Sequence, residues 1–94
     1  MTTGKNENAR KEFRELILGH VSCLYASDAN EPAFEGIIID VSNAGLGMFT
    51  YRPVTEGIGL KIYGNGLWEN SRFATVKWCE KIASDIYRAG LIFN

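Results

Sequence analysis

A carboxylate and a hydroxyl lie two residues apart in the stretch IIIDVSNAGLGMF, residues 37–49. On a β-strand, Asp40 and Ser42 would project from one face about 7 Å apart. Together they can accept hydrogen bonds from a planar polar ligand and donate one to it. Gly45 and Gly47 share a face of the next strand, which would leave bare backbone for a ligand to lie against. The alternative is structural, because Asp and Ser before a turn often bond only to the turn's own backbone.

Two arginines near the start of the chain could bind an anionic part of the same ligand. Arg10 and Arg14 lie four residues apart in the polar segment NARKEFREL. Guanidinium groups bind phosphates through paired hydrogen bonds and stack on aromatic planes, so the two could hold a phosphorylated ligand that carries a base. A solvated helix face of mixed charge is the competing interpretation. Arg88, on the outward-facing side of the last predicted strand, could add a contact to a ligand or partner.

The sequence offers little support for catalysis or metal binding. It contains no Ser-His-Asp or Cys-His arrangement, no metal-ligand cluster and no P-loop, so we expect no catalytic residues, no metal and no enzymatic activity. Cys23 and Cys79 lie far apart without a CxxC motif, which predicts buried free thiols in a reducing cytoplasm.

Alternating hydrophobic patterns predict the strands that must position these residues. VSCLY, GIGLKIYG, RFATVKWCE and YRAGLIF each have a period of two, which is typical of half-buried antiparallel strands. Loops rich in Gly, Pro, Asn and Asp separate them, and Asn65-Gly66 is expected at a hairpin tip. About six strands with little helix predict an all-β fold, either an antiparallel barrel or a tight sandwich. The alternation assigns these residues to the core: Ile37, Ile39, Val41, Leu46, Met48, Leu60, Val76, Trp78 and Leu91.

Length and charge limit the possible functions. The chain has 94 residues and 46% hydrophobic content, enough for one domain with a single core. Its 10 basic and 11 acidic residues give a formal net charge of -1, which argues against a nucleic-acid partner. A hydrophilic N-terminus and the lack of a long apolar run predict a cytoplasmic protein without membrane insertion. Residues 1–9 are expected to be flexible, ahead of one domain over residues 10–94.

RxxxR at Arg10 to Arg14, followed by DxSxxG at Asp40 to Gly45, resembles the PilZ domain family of bacterial receptors for the second messenger cyclic di-GMP. GIIIDVSNAGLGMF, VKW and YRAGLIF also correspond to segments of a PilZ barrel, so the resemblance covers nearly the whole chain. It implies a six-stranded antiparallel β-barrel. Because the chain stops at Asn94, directly after the last predicted strand, the C-terminal helix common in the family is expected to be absent.

The resemblance also implies a role for each motif residue. Arg10 and Arg14 would contact the phosphates and guanines of cyclic di-GMP, as one nucleotide or as a stacked pair. Asp40 would accept from the guanine N–H edge, Ser42 would hydrogen-bond the ligand, and Gly45 would shape the turn beneath it. No other cofactor is implied. The chain would signal through an unidentified protein partner in the control of motility, biofilm or polysaccharide. The alternative is a PilZ-like interaction module that binds nucleotide weakly or not at all.

Overall fold

Six antiparallel strands form a closed barrel in the computed structural model, which describes residues 15–28 and 30–94. The strands are β1 (Glu15–Tyr25), β2 (Phe34–Val41), β3 (Gly45–Thr50), β4 (Gly59–Tyr63), β5 (Arg72–Ala83) and β6 (Ile86–Phe93). Their order around the barrel is β1-β2-β3-β6-β5-β4. The described residues contain no helix, so the predicted all-β, six-stranded barrel is confirmed. The arm expected over residues 1–9 lies outside the described residues.

Apolar side chains from every strand fill the barrel. Leu46, Met48, Leu60, Val76 and Leu91 are almost fully buried, which confirms their predicted placement. Removing each large apolar side chain from water stabilises the fold by roughly 1.5–3 kcal/mol. The full set of buried apolar residues is Val21, Cys23, Phe34, Ile38, Leu46, Met48, Val54, Leu60, Ile62, Ala74, Val76, Ala89 and Leu91.

The isoleucine run of β2 has the opposite orientation to the one predicted. Ile38 is fully buried, whereas Ile37 and Ile39, which were predicted to lie in the core, are only half-buried. In a strand, a shift of one residue exchanges the two faces. Three consecutive isoleucines give no local signal of which face is inside, so the sequence pattern could not distinguish the two registers.

A β-bulge near the end of β2 restores the predicted orientation there. Ile38 pairs with Met48 but Asp40 pairs with Gly47, so two residues of β2 lie opposite one residue of β3. Strict alternation would have turned Asp40 to the same side as Ile38, into the core. Because of the extra residue, Asp40 lies against Gly47 on the outer surface, and Val41 packs against the core as predicted.

A second bulge, in β5, turns Trp78 outward. Val76 pairs with Leu91 and Trp78 pairs with Gly90, so Lys77 is an extra residue between them. The prediction that Trp78 shares the core with Val76 is therefore wrong. The indole is 41% exposed and lies on the outer surface of the barrel.

The connection between β4 and β5 turns at the predicted dipeptide. Asn65 and Gly66 have φ angles of 53° and 106°, and the N–H of Leu67 donates to the carbonyl of Gly64 over 3.1 Å. Two consecutive positive φ angles are the geometry that an Asn-Gly pair adopts readily in a hairpin turn. This turn confirms the predicted hairpin tip.

Candidate functional site

Four residues pair in turn across the outer face of the barrel, and we call them the glycine row. Asp40 of β2 pairs with Gly47 of β3, and Gly47 pairs with Gly90 of β6. Trp78 of β5 pairs with Gly90 from the other side. With strands about 4.8 Å apart, the backbones of Asp40 and Trp78 are separated by about 14 Å. The glycine row therefore has no side chains at its two central positions, which are buried, and it has a carboxylate at one end and an indole at the other.

The two end residues lean over the two glycines. A Cβ at Gly47 would lie 3.1 Å from Oδ1 of Asp40. A Cβ at Gly90 would lie 2.5 Å from Cε2 of Trp78 and 2.8 Å from Cζ2, which is too close for any side chain unless the ring moves. Glycine at position 90 is thus what allows the indole to lie against the backbone of β6.

A groove of about 490 Å³ runs along the glycine row. Its lining includes the cationic side chains of Lys77 and Arg88. The Cζ atom of Arg88 lies 5.9 Å from the centre of the Trp78 ring, within the range of a cation–π interaction. The volume is in the range of small-molecule sites, about 300–1,000 Å³. A ligand with a flat ring could stack on the indole and donate hydrogen bonds to Asp40. An anionic group on the same ligand could bind the cations.

Ser42 lies in the turn that leads into the groove, and it is buried rather than on the outer surface as predicted. Ser42 is only 8% exposed. The hydroxyl oxygen accepts from the backbone N–H of Ala44 over 3.2 Å and of Gly45 over 3.3 Å. The hydroxyl also lies 3.4 Å from the carbonyl oxygen of Gly45, to which it can donate. Ser42 therefore shapes the turn, and its contact with a ligand stays a prediction.

Gly45 is required for a reason that the sequence did not suggest. The resemblance implies that Gly45 shapes the turn beneath the ligand, but its φ is not among the positive values in the described chain. A Cβ at Gly45 would instead collide with the carbonyl oxygen of Leu91 and lie 3.0 Å from its carbonyl carbon. Gly45 thus permits the close approach of β3 and β6 at one end of the groove.

The predicted arginine pair, Arg10 and Arg14, lies outside the described residues. β1 begins at Glu15, which pairs with Val41, and Leu16 pairs with Asp40 of the glycine row. The first described residues of the chain are therefore next to the candidate groove. The contacts predicted for the two arginines stay predictions.

The structure brings four of the predicted residues to one groove: Asp40, Gly45, Gly47 and Arg88. Sequence reasoning missed Lys77, Trp78 and Gly90. The alternation in YRAGLIF indicated the orientation of Gly90. Gly90 falls between the inward-facing Ala89 and Leu91, so it has to face outward, like Gly47. No comparable signal marked Trp78, since its orientation depends on the bulge at Lys77.

Comparisons with known proteins do not place the chain in a family. No protein-family model matches the sequence, and no curated protein matches it either. Within residues 15–28 and 30–94, no group of three or more His, Cys, Asp or Glu side chains could hold a metal ion. The same part of the chain has no helix long and apolar enough to span a membrane.

Proposed function

We propose that this chain is a PilZ-like receptor that binds cyclic di-GMP and passes the signal to a protein partner in bacterial second-messenger regulation. The observation that carries the proposal is the glycine row, where a carboxylate and an exposed indole lie over two adjacent positions that have no side chain. The RxxxR and DxSxxG motifs support the same ligand from the sequence. The proposal assigns the chain to the cytoplasm and gives it no enzymatic role.

The two ends of the glycine row suit different parts of a guanine nucleotide. The N1–H and N2 amino groups of guanine are donors, and the carboxylate of Asp40 offers two acceptor oxygens. Stacking of a base on an aromatic ring contributes about 1–3 kcal/mol, and the 41% exposed indole of Trp78 is accessible for it. Adenine has no donor at N1 and no amino group at C2, so Asp40 would favour guanine.

The cations of the groove suit the phosphates. Arg88 lies beside the Trp78 ring, so a base stacked on the indole would bring its phosphate close to that guanidinium. Lys77 lines the same groove. Arg10 and Arg14 would add further contacts, as the resemblance implies. A ligand with two phosphates and two purines would use cations and aromatic surface together.

Isothermal titration of the full chain with cyclic di-GMP tests the proposal, with cyclic di-AMP as the matched control. We expect saturable binding of the guanine nucleotide. Lost hydrogen bonds to a charged acceptor cost roughly 1.5–3 kcal/mol, so the adenine nucleotide should bind about 10- to 150-fold more weakly. A titration without binding of either nucleotide would contradict the proposal. It would favour the alternative, a PilZ-like interaction module with weak or no nucleotide binding.

A further inference from the structure

Hydrogen-bond acceptors are scarce in the groove along the glycine row. Among the described residues that line it, the carboxylate of Asp40 is the only acceptor side chain. Lys77, Trp78 and Arg88 line the same groove and carry donors without acceptors, and the remaining lining residues are glycine, alanine, leucine or isoleucine. The side chains of the described groove therefore accept hydrogen bonds at one end of the glycine row only.

One guanine is enough to use this acceptor. Its N1–H and N2 amino donors lie side by side on one edge of the ring, and a carboxylate has two oxygens with which to meet them. Oδ1 of Asp40 would lie 3.1 Å from a Cβ at Gly47, so the carboxylate lies over the row at its β2 end. A second guanine in the same ligand would find no other carboxylate among the described lining residues.

The other end of the glycine row recognises features that guanine and adenine share. The indole of Trp78 is 41% exposed, and stacking on an aromatic ring tolerates any base because every base has a π face. The cations of Arg88 and Lys77 suit a phosphate, which is the same in both nucleotides. They can also donate to N7, an acceptor that both purines carry. This end therefore holds an adenine about as well as a guanine.

We propose that the groove reads one base only, and that it therefore also binds a mixed cyclic dinucleotide with one guanine and one adenine. The inference rests on the proposed function and specifies the ligand class of the same groove. The guanine of the mixed nucleotide donates to Asp40, and its adenine is held at the Trp78 end. The groove then discriminates against cyclic di-AMP, which has no guanine, rather than against adenine as such.

The symmetry of the ligands sets the expected affinities. Cyclic di-GMP has two equivalent orientations, since either guanine can face Asp40. The mixed nucleotide has one productive orientation, so it should bind about twofold more weakly than cyclic di-GMP. Cyclic di-AMP carries the full loss of about 10- to 150-fold. If a second group read the other base equally well, the mixed nucleotide would instead bind at the geometric mean of the two symmetric ones, about 3- to 12-fold below cyclic di-GMP.

Isothermal titration of the full wild-type chain with the three nucleotides tests the inference, and no change of fold can affect the comparison. The mixed nucleotide should bind about twofold more weakly than cyclic di-GMP. An affinity at the geometric mean or lower would overturn the inference, because a second group would then read the other base, as arginine does when it donates to O6 and N7 of guanine. Cyclic di-AMP within about fourfold of cyclic di-GMP would overturn it as well, because no base would then be read. A chain that binds none of the three would contradict the proposed function itself.

Two variants assign the reading to one end of the glycine row. Asp40→Ala should bring the three nucleotides within about twofold of one another, and retained discrimination would overturn the inference. Trp78→Ala should weaken cyclic di-GMP and the mixed nucleotide by a similar factor, about 5- to 150-fold. A changed ratio between these two in folded Trp78→Ala would overturn it too, because the indole end would then select the base. Phe73→Ala is the control, because Phe73 is 49% exposed but does not line this groove, and it should bind all three like the wild type.

Discussion

Gly90→Ala is the substitution that tests the glycine row most directly. The new Cβ would lie 2.5 Å from Cε2 of Trp78 and 2.8 Å from Cζ2, where carbon atoms in ordinary contact are about 3.5–4.0 Å apart. The indole therefore has to retreat by about 1 Å or rotate off the backbone of β6. Gly47→Ala is the matched control for the position of the indole, because its Cβ would meet the carboxylate of Asp40 at 3.1 Å and not the ring of Trp78.

The expected cost of Gly90→Ala to stability is small. Trp78 is 41% exposed, so it buries on the order of 150 Å². Losing about a third of that contact costs about 1.2 kcal/mol at 25 cal/mol per Å². Alanine recovers roughly 0.4–1 kcal/mol by restricting the unfolded chain. We expect the free energy of unfolding to fall by less than about 1 kcal/mol, measured by urea denaturation.

The expected effect on ligand binding is larger. A displaced indole no longer offers a stacking surface worth about 1–3 kcal/mol, so the affinity for cyclic di-GMP should fall about 5- to 150-fold. This loss would occur in a protein that is still folded. The combination separates a local change in the groove from general destabilisation.

Tryptophan emission reports the position of the indole without any ligand. The chain has two tryptophans, so the measurement uses a Trp68→Phe background. Trp68 packs against the core and its ring meets that of Phe93 edge to face at 6.3 Å, so phenylalanine keeps an aromatic ring there. Gly90→Ala should shift the Trp78 emission to longer wavelength and increase its quenching by acrylamide, whereas Gly47→Ala should do neither. Unchanged emission and quenching in Gly90→Ala would refute the contact between the indole and β6.

Four further predictions concern individual side chains. Asp40→Ala should weaken binding with little change in the salt dependence, and it should reduce the preference for cyclic di-GMP over cyclic di-AMP. Full selectivity in a competition titration would contradict the role of Asp40 in recognising guanine. Arg10→Ala and Arg14→Ala should each cost about 2–3 kcal/mol of binding, less at high salt, and titrations that match the wild type would exclude them from the site. Burial raises the pKa of Cys23 from 9.0 to about 12, so a thiol reagent at about pH 8 should label the half-buried Cys79 first, as peptide mass spectrometry would show. Because the thiol of Cys23 ionises at lower pH in the unfolded chain, unfolding free energy should also fall as the pH rises from 9.0 towards about 12.

The strands and most of the core could be predicted because their signals are local. A strand in which apolar and polar residues alternate buries its apolar face. This rule correctly placed Leu46, Met48 and Leu91 in the core. The order in which the strands close into a barrel depends on pairing between distant residues, which a pattern within one strand does not contain. Alternation counted back from the outward Asp40 put Ile38 outside, and the extra residue of the bulge in β2 reverses that assignment, so Ile38 was missed.

The candidate site was only partly predictable for a related reason. Asp40 and Gly47 lie in one continuous stretch, so their types and spacing could be read together. Trp78 and Gly90 come from two other strands, and they join the same row through the β3–β6 and β5–β6 pairings. Their contribution becomes visible when the register of those strands is known.

The bulges next to Asp40 and Trp78 differ in what they contribute to stability, and the difference bears on function. Strict alternation after Ile38 would bury the Asp40 carboxylate, at a cost of several kcal/mol, so the bulge in β2 favours folding. Strict alternation after Val76 would instead bury the Trp78 indole, so the bulge in β5 gives up apolar burial worth roughly 1–3 kcal/mol. Folding alone therefore explains the orientation of Asp40 but not that of Trp78. Since departures from local rules that reduce stability concentrate at functional sites, the exposed indole is the stronger indication that the glycine row binds a ligand.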